Sequence, residues 1–318
     1  MGGISSSLLV FLGVLVGVMA QQDVLQASRV LDKILVANDD GWAVAQIRAE
    51  YDALKAAGYN VILSAPAENQ SGRGALQVSA TPRTEPCEFD SCPANSGPTG
   101  FNASDPRLNW INAFPADAAQ FGIEVVAPRF FGGPPDLVVS GPNVGSNIGL
   151  QVFFSGTVGA AGKAVHLGVP AIAFSSVDGS TAQEAWTVPT SPTVLSAETY
   201  ATLTTKLLAV LFSQPPASPP LLPAGIVLNV NFPATSDTCT ADTMQWVLTR
   251  VFSVFFESPD VVTCKNGGRL PKEGDVVAAG CLASVSVIDA TTKLDASSGI
   301  QADVLQRLDG LGFVCFPN

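Results

Sequence analysis

The sequence predicts an α/β fold built on a mostly parallel sheet. Four short, largely apolar runs are typical of strands buried on both faces, as they are in parallel sheets: residues 34–37, 61–65, 136–140 and 169–175. Between the first two runs, Ile47, Tyr51 and Leu54 recur at helical spacing within residues 45–57. A strand, a polar turn and a helix in this order form the opening of a βαβ unit.

The first predicted strand is followed directly by four polar or small residues: Asn38, Asp39, Asp40 and Gly41. Ligands of parallel sheets bind outside the carboxyl ends of the strands, so the two carboxylates are expected where a ligand binds. Adjacent carboxylates repel each other unless a proton or a cation relieves the repulsion, and oxygen ligands suit Mg²⁺, Mn²⁺ or Ca²⁺. The other interpretation is an ordinary turn, and these four residues alone do not separate the two.

The second predicted strand also ends in a polar loop, at residues 66–72. This loop is expected at the same edge of the sheet as Asp39 and Asp40. There, Ser71 offers a hydroxyl ligand and Arg73 a partner for a phosphate group, although an ordinary loop explains the same residues. The stretch that follows, residues 80–108, is rich in Pro, Ser, Asn and Gly and is expected to form a surface excursion.

The third predicted strand runs into a loop rich in glycine and asparagine, residues 141–149. Its glycines allow tight turns and a close approach of the backbone to a ligand. Asn143 offers an oxygen ligand in this loop, and Asn147 offers a further hydrogen-bond donor. The loop lacks the G-K-[ST] ending of a Walker A motif, so it does not indicate a nucleoside triphosphatase.

A helix is expected to start at Ser155 or Thr157 and to run to about Leu167. Small residues such as Gly156 stand at its start, so its free N–H groups can face an anion. His166, the single histidine of the chain, falls late in this helix, where packing or capping is its expected role.

The charge of the chain excludes one class of partner. The 318 residues include 27 Asp and Glu against 16 Lys and Arg, which gives a net charge of −11. Without a basic surface to displace counterions, a nucleic-acid polymer is not an expected partner. The hydrophobic content of 47% is sufficient for one large α/β domain.

The N-terminus predicts export. Residues 8–19 form an apolar run, and Val18, Met19 and Ala20 make an acceptable cleavage site before Gln21. A membrane anchor is the alternative, but the run is short for a membrane span. We therefore expect a secretory signal at residues 1–20, a secreted protein formed by residues 21–318, and no association with a membrane.

Six cysteines remain after the predicted signal segment, and an even number in an exported chain predicts disulfides. Cys87 and Cys92 are close enough in sequence to close one loop, whereas the pairing of the other four stays open. A single histidine and no C-x₂-C pair argue against a structural zinc site. Sequons at Asn69 and Asn102 predict a glycoprotein, with Asn102 in the excursion as the expected acceptor.

Four motifs in the chain resemble, in the same order, those of the SurE family of survival-protein nucleotidases, whose relatives include secreted fungal acid phosphatases. The motifs are Asn38-Asp39-Asp40-Gly41, Asn69-Gln70-Ser71-Gly72, Ser140-Gly141-Pro142-Asn143 and Ser155-Gly156-Thr157-Val158-Gly159-Ala160-Ala161. Two later segments fit as well, residues 228–233 and 274–280, so the resemblance covers roughly residues 32–290.

The resemblance implies a Rossmann-like three-layer α/β/α sandwich with a core at about residues 32–290 and a C-terminal tail at about 291–318. It also implies metal-dependent hydrolysis of small phosphomonoesters, nucleoside monophosphates among them, and a homo-oligomer in which the tail packs on a partner subunit. Arg73 and Phe114 depart from the usual family residues, which bears on substrate preference. A non-catalytic secreted binding protein that retained the fold and a structural cation is the alternative.

The site residues that the resemblance implies fall into three groups. The expected ligands of Mg²⁺ or Mn²⁺, with Ca²⁺ as a further candidate, are Asp39, Asp40, Ser71 and Asn143. Catalysis is assigned to Asp39, Asp40 and Asn143, with a metal-activated water favoured over Asp39 as the nucleophile. The substrate phosphate is assigned to Asn147, Ser155, Gly156 and Thr157.

We expect the mature chain to begin near Gln21, because an apolar run and small residues precede it. The intact mass of the secreted protein measures this directly. A membrane-retained product that still carries residues 1–20 would contradict the assignment.

Overall fold

The computed structural model of the chain describes residues 32–176, 185–186, 191–213, 221–252 and 259–317. The predicted signal segment, residues 1–20, lies outside the described residues. Within them the chain forms the predicted α/β fold, with a nine-stranded and mostly parallel sheet.

The strands of this sheet are β1 (Lys33–Ala37), β2 (Asn60–Pro66), β3 (Thr99–Phe101), β4 (Leu108–Ile111), β5 (Leu137–Val144), β6 (Ala171–Ser176), β7 (Ile226–Phe232), β8 (Gln245–Thr249) and β9 (Leu282–Asp289). Their spatial order is β3-β4-β2-β1-β5-β6-β7-β9-β8. Neighbouring strands are parallel except in the pairs β3–β4 and β7–β9. Strand β1 therefore lies between β2 and β5, the other two strands after which sequence analysis places ligands.

The α-helices of the described residues are α1 (Ala45–Ala56), α2 (Pro115–Phe121), α3 (Ala127–Phe131), α4 (Gly156–His166), α5 (Pro192–Ser213), α6 (Glu273–Ala278) and α7 (Ser298–Arg307). A π-helical turn, Gly122–Val126, joins α2 to α3. None of the described helices has both the length and the apolar character that crossing a membrane requires.

Alternate side chains of β1 face opposite layers of the fold. Ile34 and Val36 pack in a core cluster with residues of α1 and α5, whereas Leu35 and Ala37 pack in a second cluster with residues of α2 and α4. All four side chains are fully buried, and burial of each Ile, Leu or Val stabilises the fold by roughly 1.5–3 kcal/mol. Helices thus cover both faces of the sheet, which confirms the three-layer sandwich.

Strand β5 extends beyond its predicted end. The predicted run stops at Ser140, whereas the strand continues to Val144 with a shift in its register against β6. Gly141 has a φ of +109°, and a side chain there would collide with the carbonyl oxygen of Phe174 on β6. Glycine is therefore required for its backbone conformation and for the close approach of the two strands. The irregular strand carries Asn143 to the sheet edge.

The described cysteines form three disulfides: Cys87–Cys92, Cys239–Cys281 and Cys264–Cys315. The predicted Cys87–Cys92 pair is confirmed, and it closes a short loop in the excursion between β2 and β4. The other two bonds connect segments that are 42 and 51 residues apart in sequence, so their pairing was not accessible to sequence spacing.

The segment beyond residue 290 packs on the core of its own chain. Val304 of α7 and Leu308 are completely buried in the cluster that contains α1 and α5. The Cys264–Cys315 disulfide also attaches this segment to the loop before α6. The segment that is expected to pack on a partner subunit thus also contacts the core of its own chain through these two buried side chains.

A buried polar network fixes the loop after β5. The Glu273 carboxyl group accepts hydrogen bonds from the Gly149 N–H (2.9 Å) and from Asn229 Nδ2 (3.0 Å). The Ser286 hydroxyl donates to the same carboxyl group at 2.9 Å. Asn229 Nδ2 also donates to the carbonyl oxygen of Asn147 at 2.9 Å. Glu273 is completely buried, and this burial raises the pKa of its carboxyl group to about 8.

We expect Glu273 to make the protein less stable as the pH rises from 5 to 8. The folded state keeps the proton up to a pKa of about 8, whereas the unfolded chain releases it near the ordinary value of 4.5. Between these values the folded state binds one more proton, so this group alone lowers the free energy of unfolding by about 1.4 kcal/mol per pH unit. Glu273→Gln cannot titrate, and its melting temperature should therefore decline less steeply across this range, as measured by circular dichroism.

Glu198→Gln is the matched control, because Glu198 is an exposed glutamate on α5. The melting temperature of Glu198→Gln should decline with pH as steeply as that of the unmodified protein. Equal slopes for all three proteins would mean that Glu273 is already ionised in the folded state.

Candidate active site

The candidate site lies at the carboxyl ends of three neighbouring parallel strands. Asp39 and Asp40 follow β1, the loop of Ser71 follows β2, and Asn143 lies in the last part of β5. The N-terminus of α4 reaches the same edge of the sheet. The structure therefore brings the four predicted ligands to one edge, as the βαβ order implied.

Asp39 is buried against the start of α4. Its Oδ1 accepts a hydrogen bond from the Thr157 hydroxyl at 2.9 Å. A Cβ on Gly156 would lie only 2.7 Å from the Asp39 Cβ, so the helix approaches at a distance that only glycine allows. Burial raises the pKa of Asp39, while hydrogen bonds from the Thr157 hydroxyl and the backbone of Gly156 and Thr157 oppose the rise. Two of the residues predicted to bind substrate thus contact Asp39 directly.

Asp40 is completely buried and faces β5. Its Oδ2 accepts a hydrogen bond from the backbone N–H of Val144 at 2.8 Å. This bond joins the end of β1 to the end of β5. The two adjacent carboxylates therefore have different partners, one on α4 and one on β5.

The side chain of Asn143 has one satisfied and one unsatisfied end. Its Nδ2 donates to the carbonyl oxygen of Gly145 at 2.6 Å, whereas no described group donates to its buried Oδ1. An unpaired buried polar atom costs about 1–3 kcal/mol, and a cation at Oδ1 would remove that cost. The residues present thus fit a hard cation with oxygen ligands.

The loop of Ser71 is tied to the backbone of Asp39. The Gln70 N–H donates to the Asp39 carbonyl oxygen at 2.8 Å, and the Ser71 N–H donates to Asn69 Oδ1 at 2.8 Å. Ser71 itself is exposed. No hydrogen bond joins its hydroxyl to the other three predicted ligands within the described residues, so the structure places the loop beside them without a direct contact.

Two of the predicted phosphate-binding side chains have structural partners. Ser155, and not Thr157, is the N-cap of α4, and its Oγ accepts a hydrogen bond from the Val158 N–H at 3.0 Å. Asn147 is buried, and its Nδ2 donates to the Ser175 hydroxyl at 2.6 Å. The N–H groups in the first turn of α4 thus already have acceptors within the chain, Ser155 Oγ and Asp39.

One face of α4 consists of glycines in close contact with other segments. Beyond Gly156, a Cβ on Gly159 would collide with the carbonyl oxygen of Gly74, and a Cβ on Gly162 would lie 2.6 Å from Lys293 Nζ. A side chain at Gly156 or Gly159 would therefore displace Asp39 or the backbone of Gly74, and the close contact at Gly159 holds the loop after Ser71 against the start of the helix.

The rim of the site is cationic and aromatic. The guanidinium carbon of Arg73 lies 5.0 Å from the centroid of the Phe114 ring, in the range of a cation–π contact. Arg73 is exposed and makes no ion pair with a described residue. The next residue, Gly74, donates its N–H to the carbonyl oxygen of Phe154 at 2.9 Å, and the Phe154 side chain is 67% exposed.

Three further observations concern the predicted ligand types, the single histidine and a contact that was not predicted. No group of three or more His, Cys, Asp or Glu that could hold a metal occurs in the described part of the chain, so amide and hydroxyl oxygens have to complete any cation site. His166 is exposed at the end of α4, with Nε2 3.1 Å from the Thr291 hydroxyl. The bond from Thr157 to Asp39 was missed, because nothing local to either residue indicates it.

Comparisons with known proteins identify the family of the chain. The sequence profile of the family described as "Survival protein SurE" matches residues 34–256. An acid phosphatase of Yarrowia lipolytica is 35% identical over an alignment of 298 positions, and the match covers 85% of this chain and 82% of that protein. A 5'-nucleotidase SurE of Lawsonia intracellularis is 31% identical over an alignment of 224 positions, and the match covers 67% of this chain and 73% of that protein.

A solved structure shares the fold. The crystal structure of the SurE protein from Aquifex aeolicus matches with a TM-score of 0.58 and 21% identity, and the match covers 86% of this chain and 98% of that one. The matched profile spans more than half of the chain, and the similarity to the Yarrowia protein extends over most of both sequences. The chain belongs to the SurE family.

Proposed function

We propose that this protein is a secreted, metal-dependent phosphoric monoester hydrolase of the acid phosphatase or nucleotidase type. The observation that carries the proposal is the buried, unpaired Oδ1 of Asn143 at the sheet edge that also bears the carboxylates of Asp39 and Asp40. The names of the relatives, an acid phosphatase and a 5'-nucleotidase, support the reaction class. The three disulfides support an exported protein.

The cation would be held by Asp39, Asp40, Asn143 and Ser71. Oxygen ligands of this kind favour Mg²⁺ or Mn²⁺, with Ca²⁺ as a further candidate. When bound, such a cation polarises phosphoryl oxygens and lowers the pKa of a bound water. The exposed Ser71 would complete the ligand set from the open side, where a substrate enters.

The chain's own residues would orient the reaction. The hydrogen bonds from Thr157 and from the start of α4 fix the direction of the Asp39 carboxylate and reduce its nucleophilicity, which favours a water molecule as the nucleophile. The positive end of the α4 dipole stabilises negative charge beside it. Arg73, held over Phe114 without an ionic partner among the described residues, is the cation at the rim that would contact the phosphate group.

The direct test is turnover by the purified protein after removal of metal by a chelator. Release of phosphate from p-nitrophenyl phosphate and from nucleoside monophosphates should depend on added Mg²⁺ or Mn²⁺. A protein that binds the cation but hydrolyses none of these esters between pH 4 and pH 9 would instead be the non-catalytic binding protein with a structural cation.

We expect Asp39→Asn to lose metal affinity and to lower turnover by roughly 100-fold or more, because it removes a negative ligand with little change in size. The fold should survive, since a neutral residue also relieves the repulsion between Asp39 and Asp40. Asn143→Ala should weaken metal binding less, because it removes a neutral ligand. Calorimetric titration with Mn²⁺, circular dichroism and turnover measure these effects.

Asp237→Asn is the control, since it makes the same chemical change at an exposed residue. It should bind Mn²⁺ and turn over as the unmodified protein does. If Asp39→Asn behaved like this control, residues 38–41 would be an ordinary turn and the metal-centred proposal would be wrong.

A further inference from the structure

The carboxyl group of Glu88 lies directly against the turn that bears Asp39 and Asp40. Glu88 belongs to the excursion between β2 and β4, more than forty residues from this turn in sequence. A Cβ on Gly41 would collide with its carboxyl atoms, and Gly41 has a φ of +122°. Gly41 thus combines a backbone conformation that favours glycine with the space that admits the Glu88 side chain.

Glu88 connects the two loops that carry the predicted ligands. Its Oε1 accepts a hydrogen bond from the Ala43 N–H at 3.2 Å, in the segment that follows Asp40. The backbone N–H of Asn69, two residues before Ser71, also favours the ionised form of this carboxyl group and so lowers its pKa. The Glu88 N–H donates in turn to the carbonyl oxygen of Ala67 at 3.2 Å. One residue thereby joins the turn after β1 to the loop after β2.

The excursion holds Glu88 firmly in this place. Cys87 forms a disulfide with Cys92, and the Cys87 N–H donates to the Cys92 carbonyl oxygen at 3.2 Å. The buried side chain of Arg83 donates to the carbonyl oxygens of Glu85 and Pro86. The main chain around Glu88 is therefore fixed on both sides.

The Glu88 side chain is only partly exposed, and an ionised carboxylate in this environment is costly. Burial raises the pKa of Glu88 to about 8, and the negative charge of Glu68 acts in the same direction. No described Lys, Arg or His forms an ion pair with it. A carboxyl group adds nothing to the packing of a hydrophobic core. Its contribution at this position is the contact with the turn after β1.

We propose that Glu88 is a positioning residue, which holds the loop of Ser71 at a fixed distance from Asp39 and Asp40. The Cys87–Cys92 loop is then part of the active-site structure and not only a surface feature. The inference rests on the proposed metal-dependent hydrolysis. It assigns to the excursion the role of keeping the ligands of both loops within reach of one cation.

Three variants separate geometry from charge. Glu88→Ala removes both acceptors and should weaken Mn²⁺ binding by about tenfold or more, as the loss of groups that orient metal ligands does. Glu88→Asp keeps the charge but withdraws the carboxyl group by one methylene. Its Mn²⁺ affinity should therefore lie between that of Glu88→Ala and that of the unmodified protein. Glu88→Gln keeps the length and a carbonyl acceptor, and it should retain Mn²⁺ affinity within about threefold.

Calorimetric Mn²⁺ titration and the kcat and KM for p-nitrophenyl phosphate provide the readouts, with Glu85→Ala as the control at an exposed residue of the same excursion. A loss of Mn²⁺ affinity in Glu88→Ala that does not occur in Glu88→Gln supports the proposal. Glu88→Ala and Glu88→Asp that bind Mn²⁺ like the control would overturn it. If Glu88→Ala does not fold, the comparison of Glu88→Asp with Glu88→Gln decides.

Hydrogen exchange separates this inference from the proposed function, because it requires neither metal nor turnover. In metal-free protein, Glu88→Ala should increase amide exchange at residues 41–44 and 67–71, and the Glu85→Ala control should not. Unchanged exchange at these segments would overturn the positioning role even if the unmodified protein is an active hydrolase. Increased exchange in a protein that proves inactive would uphold the link between the loops while the hydrolase proposal fails.

Discussion

Two adjacent buried carboxylates are the constraint on which the site depends. Asp39 and Asp40 are both removed from water, so each needs hydrogen-bond donors from the protein. Asp39 finds them on α4, 118 residues further along the chain, and Asp40 finds its donor on β5, 104 residues further along. The carboxylates can therefore be buried together only when β1, β5 and α4 are already assembled. The same assembly leaves Asn143 Oδ1 unpaired beside them, which makes the edge suited to a cation.

The sequence predicts the central part of the fold well, because apolar runs such as residues 34–37 are buried on both faces and carry a clear signal. It also predicts that the ligand loops meet, because parallel strands end at the same edge. Strands β3 and β4 were missed, since the polar excursion around them has no regular pattern. The partners of Asp39 and Glu88 could not be predicted, because they depend on how distant loops pack. Arg73 was noted as a phosphate partner, but its contact with Phe114 is visible only in the structure.

The elements outside the central strands are attached to the core at opposite ends of the sheet. Cys87–Cys92 closes a loop beside the strands that carry the site, whereas Cys239–Cys281 and Cys264–Cys315 join segments around β8 and β9. The C-terminal segment also buries Val304 and Leu308 in the main core. In an oxidising environment these covalent links restrict the unfolded chain and so stabilise the fold. In the interior of the fold, the polar network around Glu273 fixes the loop between β5 and α4 by hydrogen bonds.

The glycine face of α4 limits how this protein can diverge. Gly156, Gly159 and Gly162 contact Asp39, Gly74 and Lys293 so closely that no larger residue fits without moving one of them. The helix itself therefore tolerates little change in sequence at these positions. The exposed side chains of Leu150 and Phe154, on the loop that precedes it, carry no such restriction. Changes in sequence would accordingly accumulate on that loop while α4 stays the same.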